Sequence, residues 1–369
     1  MEKKTVFSHN DGRQFELDFA KFIAIVFMIL VHCYDYSSLY LSSVETSTVG
    51  TASTLGTLIE FLGAQPAAPV FMFCMGIGLV YTRHNSPSEF AHRGLKLLIT
   101  GYLLNLYRTV FVVAGGLSGA LGEQPLMPLV SAFALCVDIL PFAGLAFLFF
   151  ALMKHLKVSP AIATLIVFLL LVVVNILPNV GNDDEWYCYI AGLLWYQNDF
   201  TSFPLFQWLP FPMAGVLFGK LLKTTADKRR FYHLTFVIGA VVFALSTLLA
   251  CNRGVDLRTF FTTGYFDMNI LSATWSLAIV LVLLSAYYFL VAHLHEGRLH
   301  RLATFCSRNI NKIYLWQWIL ITPIAVLALV FLPIDEYWKL FVEVLFVFVA
   351  CVLIVRALNK KSSIQFSKK

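Results

Sequence analysis

Residues 17–36 read Leu-Asp-Phe-Ala-Lys-Phe-Ile-Ala-Ile-Val-Phe-Met-Ile-Leu-Val-His-Cys-Tyr-Asp-Tyr. An apolar run of this length is long enough to cross a bilayer as a helix. It carries a cation, Lys21, where the helix enters and an imidazole, His32, where it leaves. The two are eleven residues apart, about three turns and about 16 Å of rise. They therefore lie on nearly the same stripe of one helix, at opposite depths. That geometry suits an elongated ligand with an anionic head at one end and a reactive group at the other. Each residue also has a plainer reading. A Lys at a helix start often snorkels to the headgroups, and a His near an interface is often simply solvated. An ionisable residue within a span is still a functional candidate by default, and the pair at this spacing favours function.

The remainder of the chain agrees that lipid is the solvent. Hydrophobic residues make up 59%, aromatic residues 15% and charged residues only 13%, with a mean hydropathy of +0.76. Soluble domains carry about 25% charged residues, so this deficit excludes an ordinary globular protein. The 34 Phe fit lipid-facing and interfacial packing. A formal charge of +6 raises nucleic acid as a partner, but the placement of the cations argues against it. The seven Cys are scattered singly, without C-x-x-C or His-rich spacing, and support neither a disulfide framework nor a metal site. The N-terminal segment lacks a signal-peptide pattern, so the first span is expected to be a retained anchor.

Apolar runs of about 20 residues predict ten spans, at about 17–37, 57–82, 94–113, 129–153, 159–178, 203–222, 231–251, 270–292, 309–332 and 337–357. The expected fold is all-α, a polytopic membrane bundle with residues 17–357 as one domain. Residues 1–16 form a tail before it and 358–369 a basic tail after it. No repeat relates the two halves. Segment 179–202 is the longest connection of the second half, with room for a short interfacial helix. Of the 27 Lys and Arg, all but Arg108, Arg253, Arg258 and Lys339 fall on one face of this topology. Glu45, Glu123, Asp183, Asp184, Glu185, Asp335 and Glu336 collect on the other. The positive-inside rule then puts both termini in the cytoplasm.

Polar residues now sort by depth. Arg93 and Lys96, three apart at the start of the third span, share a helix face and can converge with Lys21 on a phosphate-rich head. A positive-inside anchor is the alternative for that pair. In the outer half, His32, Asp35, Glu60, Gln65, Asn105, Arg108 and Asp138 interrupt apolar helices. Asp35, three residues after His32, can fix its tautomer and raise its basicity. Arg108 and Asp138 are at similar depth and can form a buried ion pair, structural before catalytic. The connection Asn-Asp-Asp-Glu-Trp-Tyr-Cys-Tyr (182–189), with Leu-Trp-Tyr-Gln-Asn-Asp-Phe (194–200), interleaves carboxylates and amides with rings such as Trp195. It can stack on a sugar or serve as an interfacial aromatic belt.

These residues carry a family resemblance. Asp18 to His32 resembles the first helix of the acyltransferase-3 family of integral membrane acyltransferases, marked by Arg or Lys, ten residues, then His; Lys21 and His32 fill it. Arg93-Gly-Leu-Lys96 is similar to the family's R-x-x-R pair, with Lys second. Ser307 to Trp318 resembles its late helix, which usually ends in Tyr-x-x-His; Gln317 stands where that His would be. Pro69 to Gly76 and Phe203 to Pro210 are similar to the related heparan-glucosaminide N-acetyltransferase group. The resemblance implies acyl transfer from cytoplasmic acyl-CoA, commonly acetyl-CoA, to a hydroxyl or amine of an envelope glycan or glycolipid, in a bacterial inner membrane.

On that reading Lys21, Arg93 and Lys96 hold the coenzyme A phosphates, and the arm runs along the first span. His32 then acts as general base with Asp35 orienting it, or carries the acyl group itself. Glu60, Asn105, Arg108, Asp138 and Trp195 line the acceptor side. The rival is a transporter or flippase of a polar or lipid-linked molecule, with His32 and Asp138 as a proton relay. No inverted repeat supports it. A non-catalytic sensor on the same scaffold is the third option.

Overall fold

The computed structural model describes residues 10–41, 53–117, 119, 126–177, 186–196, 201–257, 263–266, 268–294, 297–331 and 334–366. Among these residues the regular structure is helical, apart from an isolated bridge between Val137 and Thr201. In chain order the helices are α1 (Phe15–Leu41), α2 (Thr54–Ala64), α3 (Ala68–Tyr81), α4 (Pro87–Leu117), α5 (Leu126–Leu135), α6 (Ile139–His155), α7 (Pro160–Val174) and α8 (Trp186–Leu194). They continue as α9 (Leu205–Trp208), α10 (Pro210–Thr224), α11 (Lys228–Asn252), α12 (Ile270–Val291), α13 (Arg298–Arg308), α14 (Ile310–Phe331) and α15 (Tyr337–Phe366).

Eight of the described segments are long and apolar enough to cross a membrane, not the ten expected. The two that fall short are the fourth and fifth. α7 has 15 residues, about 22 Å of helix against a hydrocarbon core of about 30 Å. The fourth is broken between α5 and α6, at Cys136-Val137-Asp138. A break at membrane depth survives only if its backbone polar groups find partners, and here they do. Asn105 Nδ2 donates to the Cys136 carbonyl at 2.7 Å. The Phe203 N–H donates to the Val137 carbonyl at 3.0 Å. Asp138 Oδ1 caps α6 by accepting from the Ile139 N–H at 2.7 Å. The short helix expected within 179–202 is α8.

Burial ranks the spans. The lining of α2–α3 is 78% buried and that of α1 61%, whereas α11 is 22% buried and α4 28%. α1 is packed by α2, α3, α12, α13, α14 and α15, and so runs along the axis of the bundle. α4 and α11 lie at the lipid boundary, showing Leu103, Val110, Leu245 and Leu248 outward. Association inside a bilayer rests on close packing rather than on escape from water. α3 and α10 show how close that packing is. A Cβ at Gly76 would lie 1.9 Å from the Pro212 carbonyl oxygen, and one at Gly215 would lie 2.0 Å from that of Phe73. Only glycine permits this crossing.

Both described ends of the chain meet at the Lys21 end of the bundle. Asn10 Nδ2 donates to the Leu222 carbonyl at 2.9 Å, Lys223 pairs with Asp11 at 3.1 Å, and Asn359 Nδ2 donates to Asn309 Oδ1 at 2.9 Å. α15 runs on to Phe366, so most of the segment expected as a basic tail after residue 357 continues the last helix.

Candidate active site

The stripe proposed on α1 is present. Lys21, Ile25 and Met28 line one cavity, and Met28, His32 and Asp35 line a second. These positions advance by three or four residues each, the spacing of one helix face. The cavities hold about 460 Å³ and about 410 Å³. Met28, Ile139 and Tyr314 line both, so the two spaces adjoin at those side chains.

The first cavity is cationic. Lys21, Arg93, Arg308 and Lys312 line it, together with Asn309 and Asn311, and among the described residues no carboxylate does. Lys21 is steadied from below by Asp18, at 3.6 Å. That carboxylate is buried and also pairs with Arg13 and accepts from Ser307 Oγ at 2.6 Å. The arrangement ties α1 to α13 at the cavity's edge. Arg93, though exposed, leans toward α6 over the Phe147 ring, 4.5 Å from its centroid.

The second cavity has the opposite character. Asp35, Glu60 and Asp138 line it against one cation, Arg108, among rings that include Phe133, Tyr265 and Trp318. Arg108 is 4% exposed. It donates from Nη1 to Asp138 Oδ2 at 3.1 Å and from Nη2 to Asn105 Oδ1 at 2.8 Å. Tyr314 OH donates to Asp138 Oδ2 at 2.7 Å. The broken helix, α4 and α14 are thus joined through one carboxylate.

His32 lines the second cavity, beside the partition. Its ring stacks on Trp318, centroids 4.1 Å apart and planes 29° apart, and Arg108 lies 4.5 Å from the centroid of the same indole. Gln317, which lines the first cavity, places its amide nitrogen 3.1 Å from His32 Nδ1. A side-chain amide has a donor arm and an acceptor arm, and each selects the opposite tautomer of a neutral imidazole. With the N–H arm toward Nδ1, the ring proton is on Nε2. A half-turn of the amide offers Oε1 instead, the proton moves to Nδ1, and Nε2 becomes the basic nitrogen. Gln317 is therefore placed where it can select the tautomer, the position expected of Asp35. Asp35 opens into the second cavity.

Residues 14–359 match the acyltransferase domain of the acyltransferase-3 family, nearly the whole chain. The chain belongs to that family. No curated protein matches it. Family and apolar helices together make this an integral membrane protein of an acyltransferase family.

This acyltransferase-3 chain distributes the residues singled out in its sequence unevenly. Lys21 and Arg93 reach the first cavity; Lys96, exposed like Arg93, does not. Three residues advance a helix by about 300°, so Lys96 points about 60° away from Arg93. Glu60, Arg108 and Asp138 join His32 and Asp35 in the second cavity, whereas Asn105 and Trp195 stand outside it. Asn105 instead supports Arg108 and the helix break. Trp195 accepts from Gln207 Nε2 through its backbone carbonyl at 3.1 Å, and its indole N–H is buried without a hydrogen-bond partner. Residues 182–185 and 197–200 of the expected acceptor loop lie outside the described residues. Among those described, no group of His, Cys, Asp and Glu could hold a metal ion.

Sequence reading missed Arg308, Lys312, Tyr314 and Trp318. The signal was available for the last two. Tyr314, Gln317 and Trp318 are spaced by three and four, a polar and aromatic stripe on an apolar helix.

Proposed function

We propose that this chain transfers an acyl group, in the first instance acetyl, from cytoplasmic acyl-CoA to a hydroxyl or amine of a cell-envelope glycan or glycolipid. The observation that carries this reading is the pairing of two adjoining cavities of opposite charge character, with His32 in the second bonded to the Gln317 that lines the first. Among the described residues, four cations and no carboxylate line the first, which suits a polyanionic nucleotide. Carboxylates and rings line the second, which suits a neutral polyol that hydrogen-bonds through its hydroxyls and stacks through its ring faces.

Lys21, Arg93, Arg308 and Lys312 bind the phosphates in this reading, and the pantetheine arm extends along α1 past Met28. The thioester then meets the acceptor at His32. Nε2 takes the proton of the acceptor hydroxyl, the oxygen attacks the thioester carbonyl, and the C–S bond breaks. The proton leaves with the coenzyme A thiolate. Gln317 must present its carbonyl arm to Nδ1–H for this step. The same reading sets the Lys21 end and both termini in the cytoplasm of a bacterium, across its inner membrane, with residues 17–357 as the catalytic domain.

The test is thiol release from acetyl-CoA by the purified full chain, with and without a saccharide acceptor. Release stimulated by the acceptor, with acetylated product, is the expected result. Movement of a lipid-linked saccharide across vesicles without acyl transfer overturns the proposal in favour of transport.

A further inference from the structure

α13 and α15 enclose a third space that takes no part in the site above. It holds about 430 Å³ and is lined by Arg298 and Arg301 from α13, by Arg356 from α15, and by an apolar wall that includes Phe348, Val349 and Leu353. All three arginines are exposed. Among the described residues none of them is in an ion pair with a carboxylate. The wall faces outward, with Val349 44% and Leu353 57% exposed. Ser307 of the same short helix bonds to Asp18, which fixes this groove at the Lys21 end of the bundle.

An anchor for the membrane–water boundary needs cations but no groove. A site for a soluble anion needs cations but no apolar wall. The groove has both, and it is continuous with a surface that lipid must cover. We propose that it is a binding site for one anionic glycerophospholipid. The phosphate lies among the three guanidiniums, whose paired N–H groups match its oxygens. An acyl chain descends along Phe348, Val349 and Leu353. Basic pockets between spans, at the end that collects the chain's cations, bind such headgroups on the same physical grounds.

The experiment is native mass spectrometry of the full chain released from bilayer discs of equal phosphatidylglycerol and phosphatidylcholine. The wild type should retain phosphatidylglycerol over phosphatidylcholine by about tenfold. Arg298→Gln/Arg301→Gln/Arg356→Gln should abolish that preference, whereas Arg229→Gln/Arg230→Gln, which removes two exposed cations from the start of α11, should keep it. Leu353→Trp fills the groove without changing charge and should also lower retention, so a folding failure of the triple variant leaves the proposal testable. Equal retention of the two lipids by the wild type overturns it. So does undiminished preference in either groove variant, or complete displacement by millimolar inorganic phosphate, which would make the site one for free phosphate.

Discussion

The two cavities that adjoin at Met28, Ile139 and Tyr314 are close in volume, yet they are built in different ways. In the first, the cations come from α1, α4 and the α13–α14 corner, and among the described residues only Lys21 leans on a carboxylate. In the second, Arg108, Asp138 and Tyr314 are bonded together with Asn105, which stands just behind the lining, across three elements, and Asn105 and Asp138 patch or cap a broken helix. The first is a set of separate charges that a ligand can bring together. The second is a preformed network whose members also hold the fold. Substitutions should therefore damage binding in the first cavity and stability in the second, with loss of chemistry reserved for the partition.

The partition carries the largest expected effect. His32→Ala should leave thermal unfolding in detergent unchanged and reduce acyl transfer by about two to four orders of magnitude. Wild-type-like turnover in a folded His32→Ala protein would remove the imidazole from the chemistry. Next comes the network. Asp138→Ala leaves the Arg108 guanidinium buried without its counter-charge and should cost about 3–5 kcal/mol of stability. An unfolding midpoint equal to wild type would mean that the second cavity, like the first, is held by nothing but its ligand.

Gln317 sharpens the boundary between the two regions. Gln317→Glu keeps an acceptor for Nδ1–H and should keep most of the activity, whereas Gln317→Met removes both arms and should cost about tenfold in kcat. The reverse order of these two variants would show that the amide donates to Nδ1, so that Nε2 carries the proton and is no base. The smallest effects belong to the first cavity. Arg308→Gln and Lys312→Gln should each raise KM for acyl-CoA by about three- to tenfold with little change in kcat. Lys96→Gln, pointing away from the cavity, should change it by less than about twofold. Equal effects at Lys96 and Arg308 would return phosphate recognition to the exposed face of α4.

How much of this was legible depended on distance along the chain. The α1 stripe from Lys21 to Asp35 follows from helical period alone, as does its function-bearing look, since a cation and an imidazole stand out in an apolar run. The break at Cys136-Val137-Asp138 was not legible. Pro141 hinted at it, but residues 129–153 read as one apolar segment. What permits the break is the amide of Asn105 and the N–H of Phe203, which lie in other segments. Trp195 was hard to place for a related reason. An aromatic residue in a connection can face a ligand or a neighbouring loop, and the Gln207 side chain that claims its carbonyl is twelve residues away.

Sequence by itself determined that lipid is the solvent, that the chain is helical, where most spans begin and end, and which stripe of α1 is polar. Composition and periodicity are local properties, and the bilayer enforces them segment by segment. Only the tertiary structure decided that Arg93 reaches the first cavity while Lys96 does not. It alone brought Arg308 and Lys312 to the cavity of Lys21, and put Gln317 rather than Asp35 against His32 Nδ1. Each of those choices depends on which face a distant helix presents, and helix–helix packing in a membrane is settled by close contact between particular side chains rather than by hydropathy.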